Sequence, residues 1–92
     1  MKIAIIGAGN IGGAIASGLM ESGYSAQADI VVSDPEEVKV KKLEADYPGL
    51  KATSDNREAV KGADIVVIAV KPWLVEPLLS SLELEENQIL AS

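Results

Sequence analysis

Three glycines, Gly7, Gly9 and Gly12, stand where an apolar run gives way to a helical pattern of small residues. The apolar run Lys2–Ile6 is typical of a buried strand, and a helix is expected to start near residue 10. Between a strand and a helix, glycines at this spacing permit a tight turn, the approach of a pyrophosphate, and close helix–strand packing. The N–H groups at the helix start and the positive end of its dipole then favour an anion. The alternative is close packing of the helix on the sheet without any ligand.

An acid follows the second apolar run at the position that a dinucleotide site requires. Asp34 comes about 20 residues after Gly12, where a carboxylate can accept hydrogen bonds from the ribose hydroxyls of an adenosine. The segment from Asp34 to Glu37 also has the sequence of a capping box, so a helix cap is the alternative role. Asn10 has the same two alternatives, a helix cap or a contact with the cofactor.

Strand and helix patterns alternate along the chain. We predict strands at residues 2–6, 30–32, 50–53, 64–70 and 88–92, and helices that start at Asn10, after Asp34, after Asp55 and at Pro72. Pro77 is expected to restart the last helix after an opening turn. The alternation predicts an α/β fold, a doubly wound parallel sheet of the Rossmann type. The very apolar segment 64–70 should lie at its centre, and the first helix should bury Ile11, Ala14, Ile15, Gly18 and Leu19.

The composition excludes several kinds of chemistry. The 92 residues include no Cys and no His, which removes thiol nucleophiles, disulfides, imidazole acid–base catalysis and most transition-metal sites. A net charge of −6 disfavours a nucleic-acid partner, and the apolar runs are too short to cross a membrane. We therefore expect a cytoplasmic protein with no metal site, no nucleic-acid partner and no membrane association.

The end of the fourth predicted strand and the helix after it read ADIVVIAVKPWLVEPLL. With MKIAIIGAGNIGGAIASGL at the front and TSDNREAVKGAD between them, this segment resembles the amino-terminal NAD(P)-binding domain of pyrroline-5-carboxylate reductases. The resemblance covers residues 1–92 and implies a domain of an enzyme that reduces 1-pyrroline-5-carboxylate, a small molecule, to proline with NAD(P)H. It also implies a helical carboxyl-terminal domain, absent here, that supplies most of the substrate site and the contacts of a homo-oligomer. Since the last predicted strand reaches Ser92, we expect the sheet to be truncated within its fifth strand.

The resemblance further implies which residues hold the cofactor. The segment matching residues 6–11 wraps the pyrophosphate, Asp34 meets the adenosine ribose or its 2′-phosphate, and Asn56 lies beside the adenosine. The backbone of residues 69–72 lies along the cofactor toward the nicotinamide. With the glycine motif, the candidate cofactor-binding residues are Ile6, Gly7, Ala8, Gly9, Asn10, Ile11, Gly12, Asp34, Asn56, Ala69, Val70, Lys71 and Pro72.

At Asp34, Asn56 and Lys71 the expected role needs a further statement. Small or amide residues are commoner in the family at the position of Asp34, so an acid there favours NAD(H) mildly over NADP(H). For Asn56 the alternative is an ordinary polar residue at a helix start. For Lys71 we expect the backbone to contact the cofactor and the ammonium group to be exposed. No catalytic residue can be assigned in the sequence.

Two other functions remain open from the sequence. One is a different reductase with the same type of domain, such as a hydroxyacid or coenzyme F420-dependent oxidoreductase. The other is a nucleotide-binding module that performs no chemistry.

Overall fold

The protein is described by a computed structural model over residues 1–23, 26–85 and 87–91. In chain order its elements are β1 (Lys2–Ile6), α1 (Asn10–Glu21), β2 (Asp29–Ser33), α2 (Glu37–Asp46), β3 (Lys51–Thr53), α3 (Asn56–Val60), β4 (Ile65–Ile68), α4 (Pro72–Ser81) and β5 (Ile89–Ala91). The strands form one parallel sheet in the order β3-β2-β1-β4-β5. The chain therefore moves outward in one direction from β1 to β3 and in the other direction from β4 to β5. The switch point between these directions lies between β1 and β4.

Helices pack on both faces of the sheet, which confirms the doubly wound fold. Ile3 and Ile5 of β1 face the layer formed by α1 and α2, where they pack near Ala16 and Val40. Ala4 and Ile6 face the opposite layer, with the buried residues of α3 and the half-buried leucines of α4. Successive strand residues point to opposite faces, so a strand that is apolar throughout is buried on both sides.

Three details of the sheet differ from the prediction. The central strand is β1, and β4 is its neighbour rather than the centre. The strand predicted over 64–70 is regular only over Ile65–Ile68. Ala69 still donates its N–H to the Ile6 oxygen at 2.8 Å, and the chain then turns toward α4. The strand predicted over 88–92 is observed as Ile89–Ala91, and Ser92 lies outside the described residues.

The buried stripe of α1 is also different from the prediction. The residues that face the sheet are Gly12 and Ala16, with Ile15, Leu19 and Met20 half-buried beside them. Ile11 is 69% exposed, and Ala14 and Gly18 are exposed as well. The close packing of Gly12 against the strand–helix turn fixes the rotation of the helix, and residues three and four positions apart then follow on the same face.

Helix caps were predicted correctly at one helix and wrongly at two. Asp55 caps α3, and its Oδ1 accepts the Arg57 N–H at 2.9 Å. The N-cap of α1 is Gly9 and not Asn10, which is the first helical residue. The N-cap of α2 is Glu36, because Asp34 lies two residues before it and accepts the Glu36 N–H in a local turn.

Two further findings concern the helices. Pro77 lies inside one continuous helix, α4, so the predicted restart at this residue is wrong. Within the described residues, no helix has the length and apolar character that a membrane span requires.

Candidate functional site

The candidate residues from the sequence gather at the carboxyl edge of the sheet. Residues 6–12 follow β1, Asp34 follows β2, Asn56 opens the helix after β3, and residues 69–72 follow β4. In an open parallel sheet, ligands bind beyond this edge at the switch point between strand directions. The backbone links the segments directly, since Gly7 donates its N–H to the Ser33 oxygen at 2.7 Å and Ala69 bonds to Ile6.

Gly7 forms the turn after β1 and lies against the turn after β4. Its φ of +108° is a conformation that side chains other than glycine rarely adopt. A Cβ on Gly7 would also lie 2.6 Å from the Ala69 oxygen and 3.2 Å from a methyl group of Val70. This position therefore needs glycine both for its conformation and for the close approach of the two turns.

Gly9 and Gly12 differ sharply in their surroundings. A Cβ built on Gly9 meets no atom within 4 Å, and the backbone at Gly9 has φ −74° and ψ −159°, which any residue can adopt. A Cβ on Gly12 would overlap the Gly7 carbonyl group and would lie 3.2 Å from the Ala69 side chain. Gly12 thus serves helix–strand packing, whereas no neighbouring atom of the described chain requires glycine at Gly9.

The amino terminus of α1 is open to an anion. Its N-cap, Gly9, provides no side-chain hydrogen bond, and the first turn contains no acidic residue. The first N–H groups of a helix have no partner within the helix. By contrast, the first turns of α2 and α3 contain Glu37 and Glu58. The start of α4 is also uncapped and free of acids, but Pro72 removes one of its N–H groups.

Asp34 is tied to the glycine turn. Its Oδ2 accepts the Ala8 N–H at 2.8 Å, and its Oδ1 accepts the Glu36 N–H at 2.8 Å. The side chain is half-buried. Each carboxylate oxygen can accept two hydrogen bonds, so capacity is left for a ligand on each of them.

Ser33 is a residue of the candidate site that the sequence analysis missed. It is the last residue of β2 and is completely buried, and its hydroxyl hydrogen-bonds Asn56 Oδ1 at 2.5 Å. The two residues join the ends of β2 and β3 beside Asp34. Serine at a strand end is common and gives no signal in the sequence, so only the fold reveals this pair.

The segment after β4 completes the edge. Ala69 and Val70 are half-buried, whereas Lys71 and Pro72 are exposed. Lys71 is the N-cap of α4 without a side-chain hydrogen bond, and Pro72 occupies the first helical position. Pro suits that position because its missing N–H would have no helical partner. Lys71 is exposed as expected, and the contact of its backbone with the cofactor stays a prediction.

A groove of about 300 Å³ lies at the opposite, amino edge of the sheet. Its walls carry cations and acids together, among them Lys61 and Glu85, and Gln88 donates there to the oxygens of Val60 and Ala63. Because cations and acids line the groove together, its charge favours no particular class of ligand. The candidate site at the carboxyl edge extends across the ends of β1, β2, β3 and β4.

Comparison with known proteins agrees with this geometry. The model of the family described as NADP oxidoreductase, coenzyme F420-dependent, matches residues 2–92. The chain belongs to this family. A pyrroline-5-carboxylate reductase from Vibrio alginolyticus is 45% identical over 82 residues, which is 89% of this chain and 29% of the relative. The resemblance seen in the sequence is thereby confirmed, over about a third of the relative's length.

Solved structures show the same fold. A pyrroline-5-carboxylate reductase from Coxiella burnetii is 34% identical, with a TM-score of 0.73 over 83% of this chain and 27% of that one. An imine reductase variant from Myxococcus stipitatus, solved in complex with NAD+, is 28% identical, with a TM-score of 0.73 over 97% of this chain and 28% of that one. This chain therefore corresponds to a minor part of each of these reductases.

Proposed function

We propose that this chain is the dinucleotide-binding domain of a pyrroline-5-carboxylate reductase and holds NAD(P)H at the carboxyl edge of its sheet. The observation that carries the proposal is the open space over Gly9, next to the uncapped start of α1. Relatives that match most of this chain are named pyrroline-5-carboxylate reductases, and the imine reductase variant with the same fold was solved with NAD+. A shared fold alone would not support this function, but the glycine turn supplies a site of the right chemistry.

The pyrophosphate fits the turn between β1 and α1. The N–H groups of Asn10, Ile11 and Gly12 occupy the first turn of the helix, where they lack partners within the helix. The absence of a Cβ on Gly9 lets a phosphate come against the backbone, and the helix dipole favours its negative charge. Ile11 is exposed beside this turn, where its side chain can cover apolar parts of the ligand.

The adenosine end fits beside Asp34 and Asn56. The free lone pairs of the Asp34 carboxylate can accept hydrogen bonds from ribose hydroxyls, as in other dinucleotide sites of this type. The same negative charge disfavours a 2′-phosphate, so we propose a mild preference for NAD(H) over NADP(H). Among the described residues, three lysines, at positions 39, 41 and 51, form ion pairs with the N-cap and the first residue of α2 and with an acid of β2.

The nicotinamide end fits along the backbone of residues 69–72, beyond the end of β4. When bound, the cofactor supplies the hydride that reduces an imine carbon. The residues of this chain bind and orient it, and Gly7 and Ala69 keep the two central turns in contact. We propose that the remaining part of the full-length protein supplies a helical domain, most of the substrate site and the contacts of a homo-oligomer. We propose a cytoplasmic location for the enzyme and 1-pyrroline-5-carboxylate as its substrate.

A coenzyme F420-dependent oxidoreductase is the second candidate function. It is favoured by one observation, the description of the family model, which names this coenzyme. A full-length pyrroline-5-carboxylate reductase should oxidise NADH or NADPH when it is given 1-pyrroline-5-carboxylate. Hydride exchange between NADP(H) and coenzyme F420, without activity on the imine, would support the second candidate instead.

Calorimetric titration of the 92-residue chain tests the binding site. We expect NADH and NADPH to bind with a stoichiometry of one, and adenosine without a pyrophosphate to bind much more weakly. If neither dinucleotide binds to the folded chain, the proposed site is wrong. If adenosine binds as well as NADH does, the pyrophosphate turn contributes nothing and this part of the proposal is wrong.

A further inference from the structure

We propose that Ser33 is a positioning residue, which holds the Asn56 side chain so that its amide NH2 group faces the adenosine end of the ligand. The proposal rests on the proposed dinucleotide site. It adds to that site a buried residue that touches no ligand, together with a hydrogen-bond donor whose direction this residue sets.

The orientation of Asn56 follows from the hydroxyl group of Ser33. Ser33 is fully buried, so its hydroxyl hydrogen needs a protein acceptor. Among the described residues, the acceptor recorded for it is Asn56 Oδ1, at 2.5 Å. If the amide were rotated by half a turn, the NH2 group would face Ser33 and the hydroxyl hydrogen would lose this acceptor. The buried serine therefore selects the orientation with the oxygen inward.

The NH2 group of Asn56 is then directed away from Ser33, and the residue itself lies at the carboxyl edge of the sheet, as the first residue of α3. Asn56 is half-buried, so its outer atoms reach the surface. Within the described chain, the bond to Ser33 is the hydrogen bond found for this side chain. The amide nitrogen is thus available as a donor beside the end of β2, where Asp34 offers acceptors. Each ribose hydroxyl can both donate and accept a hydrogen bond, whereas a 2′-phosphate offers acceptors only.

The ligand chemistry that gains most from this donor is a 2′-phosphate. A hydrogen bond to a charged group contributes more than a bond between neutral groups, by roughly a factor of two in energy. The Asn56 donor therefore opposes the effect of the Asp34 charge. It gives a site that has an acid at the end of its second strand some capacity to bind NADP(H).

The test is a set of affinities for NADPH and NADH measured on the 92-residue protein and its variants. In Ser33→Ala the amide can rotate, and we expect the affinity for NADPH to fall by about 10-fold and that for NADH by about 3-fold. Ser22→Ala is the matched control, since its hydroxyl bonds to Leu19 at the far end of α1 and should leave both affinities unchanged.

A double-mutant cycle separates positioning from a general loss of structure. If Ser33 acts through Asn56, the Ser33→Ala change should have no further effect on either affinity once Asn56→Ala is present. An effect that persists in that background would overturn the proposal, and so would an equal loss for NADPH and NADH in Ser33→Ala.

If Ser33→Ala fails to fold, Asn56→Asp tests whether the outer atom of this side chain faces the 2′-phosphate, which the proposal requires. Ser33 can still donate to a carboxylate oxygen, whereas the outer atom becomes a charged acceptor. We expect the NADPH affinity to fall by about 30-fold or more relative to that for NADH, since a donor is replaced by a like charge. An unchanged ratio would overturn the proposal. Failure of the wild-type protein to bind either dinucleotide would instead refute the site itself.

Discussion

The Ala8 N–H donates a hydrogen bond to Asp34 Oδ2 at 2.8 Å, between residues that are 26 positions apart in the sequence. This bond ties the glycine turn after β1 to the end of β2. The second oxygen of the same carboxylate accepts the Glu36 N–H, so one side chain orders two backbone segments. Asp34, which the sequence predicts to contact the adenosine, therefore also holds the turn that is predicted to bind the pyrophosphate.

Gly9→Val should abolish cofactor binding and leave the fold intact. The new side chain enters open space with an unstrained backbone, but it occupies the region proposed for the pyrophosphate. Since hydrogen bonds to a charged group contribute about 1.5–3 kcal/mol each, we expect NADH affinity to fall by about 100-fold or more. Calorimetric titration gives the affinity, and thermal unfolding gives the stability.

Gly18→Val is the matched control for Gly9→Val. A Cβ on Gly18 also meets no atom within 4 Å, but this residue lies in the middle of α1 on its exposed side. We expect unchanged cofactor affinity and a slight gain in stability, because valine has a higher helix propensity than glycine. If Gly9→Val binds NADH as well as Gly18→Val does, the pyrophosphate does not lie over Gly9.

Gly12→Ala should destabilise the fold itself. The added Cβ would overlap the Gly7 carbonyl, so α1 would have to move away from the first turn. Overpacking of this kind costs about 1–3 kcal/mol or more in the free energy of unfolding. Chemical denaturation measures the change.

Gly13→Ala provides the contrast to Gly12→Ala within the same helix. Its Cβ would lie 3.6 Å from the Ala8 oxygen, an ordinary contact, and alanine is the better helix former. The protein should gain about 0.5–1 kcal/mol of stability. Equal stability changes at Gly12 and Gly13 would be inconsistent with the close helix–strand packing described above.

The 92-residue chain should bind the cofactor without reductase turnover. Matched relatives are about three times as long, and no catalytic group was assigned in this part of the sequence. Orientation of the two reactants contributes about 7–11 kcal/mol of barrier lowering in well-ordered sites, and a site without its substrate half loses most of it. Absorbance of NADH in the presence of 1-pyrroline-5-carboxylate measures the rate. Turnover by this chain at the rate of a full-length reductase would contradict the expectation.

Much of the fold follows from the sequence because the signals are local. Each apolar run and each capping residue acts within one element, so the order of strands and helices was predicted with errors of a few residues. The rotation of α1 was not predicted, since it depends on the contact of Gly12 with the carbonyl of Gly7 and not on hydrophobic periodicity. The cap predicted for α2 was wrong for a related reason, because Asp34 is engaged by a distant turn as well as by its own.

The candidate site was predictable in its position and not in its internal bonds. Strand ends in a parallel sheet bring residues 6–12, Asp34, Asn56 and residues 69–72 to one edge, and the sequence is sufficient for that inference. The pair formed by Ser33 and Asn56 depends on the distance between the ends of β2 and β3, which no local pattern encodes. Residue pairs of this kind come together only in the assembled sheet, so local sequence patterns do not reveal them.

Asp34→Asn should reduce the preference for NADH over NADPH, and it should also cost stability. A 2′-phosphate carries a charge of about −1.5 to −2. At about 5 Å and an effective dielectric constant of about 40–80, its repulsion by the carboxylate is roughly 1–3 kcal/mol, or about 5- to 150-fold in affinity. Asparagine removes this repulsion. From the sequence alone, asparagine would be expected to preserve the fold as an equivalent helix cap.

The two hydrogen bonds of Asp34 revise that second expectation. An asparagine has a single acceptor oxygen, so it can retain the bond to Ala8 or the bond to Glu36 but not both as they stand. Because Glu36 is exposed, water can replace its bond while asparagine keeps the bond to Ala8, so the free energy of unfolding should fall by about 0.5–1.5 kcal/mol. Competitive titration with NADH and NADPH, together with chemical denaturation, measures both effects. Since Asp55→Asn can keep its one recorded backbone bond at the start of α3, it should be nearly neutral in both assays. A wild-type preference for NADPH, or an Asp34→Asn protein with an unaltered ratio, would leave Asp34 with the role of ordering the turn alone.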